Sequence, residues 1–134
     1  MLLFYILYWN IKKNLKYLFH KFLLKIPQNM KVLIKVLNPL CEPQIKGDWI
    51  DLKSASDCLV TPPMISGKTV KFTKYLIPLG VCMELPYGFE AHVVPRSSTF
   101  KQYGILMNNS FAVIDNTYCG NADEWKFPAL FIED

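Results

Sequence analysis

One arginine beside a run of hydroxyls, and one carboxylate closing an apolar run, are the groups in this sequence best suited to chemistry. Arg96-Ser97-Ser98-Thr99 follows Val94-Pro95, and Asp115 follows Ala112-Val113-Ile114. A guanidinium and hydroxyls can hold oxyanions, and a carboxylate can take a proton from water. Tyr118 and Gly120 close the turn after Asp115. Singly, each feature is weak. An Arg-Ser-Ser run is more often a solvated turn, an aspartate at a strand end usually forms a turn, and a tyrosine at a hairpin usually packs. His20 and His92 have no companions of ligand type and are assigned no chemistry. Cys41, Cys58, Cys82 and Cys119 form no Cys-x-x-Cys pair. That spacing argues against zinc and reads as reduced thiols of a cytoplasmic protein.

The elements that must hold these residues read as short strands. The chain has 134 residues, 51% of them hydrophobic and 14% aromatic, enough for one domain with a core and too apolar for disorder. Nine prolines and six glycines punctuate it often. Val32 to Leu37 reads as a strand stopped by Asn38-Pro39, and Trp49 to Lys53 as a short strand carrying Asp51. Val70, Phe72 and Leu76 alternate with polar residues, as do Phe89, Ala91 and Val93, the period of half-buried strands. The second of these leads into Pro95-Arg96. A further strand is expected at about Gly104–Met107, and Phe111–Ile114 and Trp125–Ile132 read as arms of one hairpin joined by a polar turn. Almost no helix is expected beyond residue 30. The fold class is therefore all-β, a sandwich or barrel.

The amino-terminal 30 residues read as a separate extension, largely helical and detached from the β domain of 31–134. Met1 to Trp9 is apolar but too short to span a bilayer and wrongly ordered for a secretory signal. Ile11, Leu15, Leu18, Phe22 and Ile26 share one helical stripe ended by Pro27. Residues 10–26 could thus form a cationic amphipathic helix, and residues 1–26 a membrane contact. The plainer reading is an extension without such a role, with Met30 as the start. Lys12, Lys13, Lys16, Lys21, Lys25, Lys31 and Lys35 all precede the first acid, Glu42, and the remainder is net acidic. The overall charge of +4 therefore gives no support to nucleic-acid binding.

Taken in order, the motifs resemble those of the trimeric deoxyuridine triphosphatases. Gly47-Asp48-Trp49-Ile50-Asp51-Leu52 looks like the family's first motif, with Trp49 where glycine is usual. Pro95-Arg96-Ser97-Ser98 is a close match to the second. Ala112-Val113-Ile114-Asp115-Asn116-Thr117-Tyr118-Cys119-Gly120 matches the third, with alanine at its first glycine. The resemblance covers Val32 to the end. It implies a distorted jelly-roll or β-sandwich and hydrolysis of dUTP to dUMP and pyrophosphate.

By position, the resemblance makes Asp115 the general base that activates water. Arg96, Ser97 and Ser98 would hold the triphosphate, and Asp51 would orient waters around a bridging Mg²⁺. The Asn109–Tyr118 hairpin would receive uracil through the backbone of residues such as Val113 and Ile114, with the Asn109 side chain assisting. Tyr118 would exclude a 2′-hydroxyl, and Lys126 could reach phosphate. A homotrimer is implied where the carboxy-terminal segment is present. The family's fourth and fifth motifs would lie after Asp134. The chain is therefore expected to be a truncated product with little hydrolysis of its own, leaving Phe127, Leu130 and Phe131 on an unfinished surface. Three other readings compete. A dCTP deaminase is disfavoured by Asp115-Asn116-Thr117-Tyr118, a non-catalytic nucleotide- or protein-binding relative is favoured by the missing motifs, and a membrane-surface peptide rests on residues 1–26.

Overall fold

The computed structural model of the chain describes residues 3–10, 31–46, 49–59, 61 and 63–132. Among them the elements are strands β1 (Leu3–Asn10), β2 (Leu33–Val36), β3 (Gln44–Lys46), β4 (Trp49–Lys53), β5 (Met64–Ser66), β6 (Thr69–Lys71), β7 (Thr73–Pro78), β8 (Val81–Glu84), β9 (Phe89–Pro95), β10 (Ile105–Met107), β11 (Ala112–Asp115) and β12 (Lys126–Phe131). One α-helix, α1 (Ser97–Tyr103), and a 3-10 turn at Pro39–Cys41 accompany them. The all-β class expected from the sequence holds. A five-stranded sheet runs β11-β9-β1-β4-β3 and a three-stranded one β10-β12-β7. The strand pairs β2-β8 and β5-β6 complete the set.

The core gathers between these sheets, as layered β domains require. Leu52 of β4 and Ala91 and Val93 of β9 meet Ile77 of β7, Val81 and Met83 of β8, and Phe127, Ala129 and Phe131 of β12, with Trp125 among them. Alternation sets this up: Ala91 and Val93 are buried on β9, and Phe127, Ala129 and Phe131 on β12. On β4 the consecutive residues Asp51 and Leu52 are both fully buried. Successive side chains point to opposite faces, so the strand is covered on both sides there.

Several expectations are corrected. The single strand read through Val70 and Leu76 is two, because β6 pairs with β5 and β7 with β12. Val70, Phe72 and Leu76, expected on the buried face, are all exposed, and Ile77 is buried instead, opposite Phe127. Phe111–Ile114 and Trp125–Ile132 are not arms of one hairpin: β11 pairs with β9, and β12 lies between β10 and β7. That central place buries Phe127 and Phe131, which were expected on an unfinished surface, and half-buries Leu130. The residues 97–103 form α1, stopped by Gly104 in the left-handed region at φ 57°. Two turns are too short for helical periodicity to announce.

Leu3–Asn10 corrects the picture of a detached helical extension. It is a strand paired with β9 from Phe4↔Pro95 to Asn10↔Phe89, and with β4 at Leu3↔Lys53 and Phe4↔Leu52. An eight-residue, mostly apolar run does not by itself distinguish helix from strand; here it pairs with β9 along its length and with β4 at its first two residues. The rest of the amphipathic-helix reading, residues 11–26, lies outside the described residues, as does Met30. Among the described residues no helix is long and apolar enough to cross a membrane.

The turn between β7 and β8 is the tightest backbone constraint. Gly80 has φ 66°, and an added Cβ would lie 2.7 Å from the Cβ of Cys41. Gly67, at φ 59°, faces open space. Gly80→Ala is expected to lower the unfolding free energy by roughly 2–4 kcal/mol, combining left-handed strain with a backbone shift. Gly67→Ala should cost only about 1–2 kcal/mol. Urea unfolding of both variants checks this; equal losses would show that the Cys41 contact is relaxed at no cost.

Candidate functional site

Two groups of chemically capable residues emerge. The first is built where β4 and β9 flank the amino-terminal end of β1. Asp51 is fully buried, and its Oδ2 accepts from Arg96 Nη1 at 3.2 Å and lies 3.2 Å from Lys46 Nζ. Oδ1 is buried with no hydrogen-bond partner among the described residues. Arg96 follows β9 directly and is the N-cap residue of α1, where the Thr99 N–H donates to its carbonyl at 2.9 Å. Ser97, exposed, and Ser98, half-buried, stand on the first turn of α1. Thr99 is buried and fixes the helix against the domain. Arginine and hydroxyls are thus adjacent, with a buried carboxylate behind the arginine. Lys46 was not singled out in the sequence, since a lysine ending a short exposed strand carries no signal of its own. Gly47 and Asp48 of the first motif lie outside the described residues.

The second group is a cleft of about 400 Å³ lined by Val113, Ile114, Asp115, Thr117, Tyr118, Glu124, Trp125 and Lys126. Its size falls in the range of small-ligand sites. The register on β9 aims one wall: Val113↔His92, Ile114↔Ala91 and Asp115↔Glu90. Just beyond, Asp115 Oδ1 accepts from the Thr117 N–H at 2.7 Å and from the Thr117 hydroxyl at 2.5 Å. The Thr117 hydroxyl first, then its amide, hold the exposed Asp115 carboxyl below the usual carboxylate range. Tyr118 donates from its hydroxyl to the Glu124 carbonyl at 3.3 Å, closing the turn across the cleft. The opposite wall is rigid. Trp125 is fully buried and zipped by its backbone to Leu79 and Val81, and Glu124 Oε1 accepts from the Gly80 N–H at 2.9 Å.

Five expected residues therefore converge here: Val113, Ile114, Asp115, Tyr118 and Lys126. Asn109 lies outside this lining, exposed in the turn before β11, whose Phe111 packs on His92 with ring centroids 5.2 Å apart. The hairpin expected over Asn109–Tyr118 is a strand on β9 followed by a tight turn. Thr117, Glu124 and Trp125 were missed. The threonine had a signal, an Asp-x-Thr spacing that suits an Asx turn; the glutamate had none.

No protein-family model matches the chain. It is 51% identical over 89 residues to the SPbeta prophage-derived deoxyuridine 5'-triphosphate nucleotidohydrolase YosS of Bacillus subtilis, covering 66% of this chain and 56% of that protein. It is 34% identical over 98 residues to a deoxyuridine 5'-triphosphate nucleotidohydrolase of Wolbachia pipientis subsp. Culex pipiens, covering 68% and 59%. A protein of the same name from Treponema pallidum is 45% identical over 47 residues, 35% of this chain and 32% of that one. The chain thus spans 56% of the Bacillus subtilis relative and 59% of the Wolbachia one.

The Asp51 cluster makes a direct test. Arg96→Met leaves the buried carboxylate with Lys46 alone. The expected loss of stability lies below the roughly 3–5 kcal/mol typical of breaking a buried pair, because one cation remains. Adding Asp51→Leu should recover part of it, giving a coupling above about 1 kcal/mol in a double-mutant cycle by urea unfolding. Strict additivity would show that the two side chains do not depend on each other.

Proposed function

The chain belongs to the deoxyuridine triphosphatase family, and from that membership we propose that it supplies the uracil-reading turn and the oxyanion clamp of a dUTP diphosphatase. The reaction is dUTP plus water to dUMP and pyrophosphate. The observation that carries the reading is the convergence of Asp115, Tyr118 and Lys126 on one cleft, on the residues that match the family's third motif.

The chemistry follows from the side chains. Water is a poor nucleophile, and a positioned carboxylate that takes its proton as the bond to phosphorus forms lowers the barrier. Asp115 remains anionic below neutral pH, so it is in the right state. Arg96, Ser97 and Ser98 would bind phosphate oxygens, the guanidinium supplying charge-assisted donors. Backbone groups of Val113 and Ile114 would pair with the edge of uracil, with Asn109 assisting from the neighbouring turn. The Tyr118 ring would lie under the deoxyribose and leave no room for a 2′-hydroxyl.

A magnesium ion fits the residues present in one way. Among the described residues no three acids, histidines or cysteines cluster to cage a cation. Asp51 offers a buried carboxylate oxygen without a partner, which suits an ion held by phosphate and water, with Asp51 orienting the water. When bound, Mg²⁺ draws charge from the phosphate oxygens.

Assembly as a homotrimer fits two residue groups that need not belong to one site within a single copy. It also fits the exposed apolar side chains Leu33, Ile45, Ile65 and Leu76. A cytoplasmic setting fits four cysteines present as free thiols.

The test measures pyrophosphate release from dUTP, UTP and dCTP. It uses this chain, and this chain extended with a carboxy-terminal segment of the Bacillus subtilis relative. Release from dUTP alone is expected in the extended protein. Asp115→Asn should lower kcat by about 10²–10⁴-fold while nucleotide affinity is kept. Tyr118→Ala should relax discrimination against UTP more than against dCTP. Release that survives Asp115→Asn would remove that residue from the role, and equal turnover of dCTP would overturn the substrate assignment.

A further inference from the structure

We infer that Thr117 is a positioning residue for Asp115: its N–H and its hydroxyl together occupy Oδ1, so that Oδ2 alone is offered to a reacting water in the cleft. This rests on the reading of Asp115 as the general base, and it adds a residue that none of the motif assignments used.

The geometry carries it. Both donors of one residue reach the same oxygen, the amide at 2.7 Å and the hydroxyl at 2.5 Å. A carboxylate rotates about a broad, roughly two-fold terminal torsion, and an exposed one like Asp115 is otherwise free to turn among waters. Two donors on one oxygen remove that freedom. Threonine suits the task because its branched β-carbon limits χ1, so the hydroxyl is largely preset. Without the hydroxyl the carboxylate keeps only backbone donors, the Thr117 amide and the weaker contribution of the Tyr118 amide.

The same contact has an electrostatic consequence. Several charged or titratable groups surround Asp115. Glu90 lies directly opposite on β9, hydrogen-bonded to His92 at 2.8 Å, and Glu124, Lys126 and Tyr118 line the cleft. Desolvation acts to raise the Asp115 pKa, yet it is lowered, first by the Thr117 hydroxyl, then by its amide, with the Tyr118 amide adding to them. Asp115 is therefore a weaker base than an ordinary carboxylate but a fixed one. A proton transfer that depends on geometry tolerates that exchange, since misplacement by about 1 Å can cost about 10²-fold.

The sign of the pH effect follows. A base acts when deprotonated, so a lowered pKa keeps it competent further into acid. Removing the hydroxyl raises the pKa and moves the acidic limb of the rate profile to higher pH. Thr117→Val removes the hydroxyl and keeps shape and amide, Thr117→Ser keeps the hydroxyl, and Thr117→Ala guards against a misfolded valine variant.

Carbon-detected NMR titration of the Asp115 carboxyl in the full chain reads the contact without any need for turnover. The Asp115 pKa should rise toward the ordinary carboxylate value in Thr117→Val and Thr117→Ala, and stay near its starting value in Thr117→Ser. In the protein that turns over dUTP, the valine variant should lose about 10- to 100-fold in kcat with KM little changed, and serine should restore most of it. An unchanged Asp115 pKa in both Thr117→Val and Thr117→Ala overturns the inference whatever the turnover. A raised pKa together with turnover that survives Asp115→Asn overturns the base assignment, and with it any catalytic meaning of the contact.

Discussion

A carboxylate with no exposed surface must be neutralised by its neighbours, and Asp51 sets that condition for the end of the domain where β9 meets α1. At 3.2 Å the Arg96 contact is worth about 5 kcal/mol at an effective dielectric of about 20. Burying the Asp51 carboxylate costs several kcal/mol, while Arg96 and Lys46 stay partly exposed. The two nearly cancel, so the cluster adds little net stability. What it adds is placement, because without Arg96 the buried carboxylate is left to the half-exposed Lys46 alone. Arg96 is also the residue where β9 becomes α1, so the same contact sets where Ser97 and Ser98 begin. Strand β1, paired to β4 on one side and β9 on the other, lies between the two strands that the ion pair links.

The second constraint is the register of β11 on β9. With a period of two, a slip by one residue would turn Asp115 to the other face. Alternation fixes it: Ala91 and Val93 are buried on β9, opposite Ile114 and Ala112. The far wall is held independently through Trp125 and the Gly80 turn. The cleft thus lies between two elements anchored in the same core, one carrying the carboxylate and the other Glu124 and Lys126.

Much of this was legible in the sequence. Arg-Ser-Ser after a proline and Val-Ile-Asp before a turn tyrosine identify the family, and alternation locates β9 and its buried face. What was not legible depends on partners. Period-two patterns do not say which face is covered, so Val70, Phe72 and Leu76 are exposed and Ile77 takes the core position opposite Phe127. Apolar runs do not name their neighbours, so β12 was paired with the wrong strand and Leu3–Asn10 was left outside the sheet. Helix α1 was missed because two turns carry caps but no periodicity. Glu124 reaches the Gly80 N–H, distant in sequence, a contact that only folding brings together, whereas Thr117 had a local Asp-x-Thr signal that went unread.

The claim on which the rest turns is that the cleft between the β11 turn and Trp125 reads a 2′-deoxyuridine nucleotide. Titrating dUMP, UMP and dCMP into the isotope-labelled chain and following backbone amide shifts addresses it without any turnover. The account predicts that dUMP perturbs the amides of Val113, Ile114 and Tyr118 at lower concentration than UMP or dCMP. Equal responses to the three nucleotides, or shifts confined to residues outside the cleft, would contradict it.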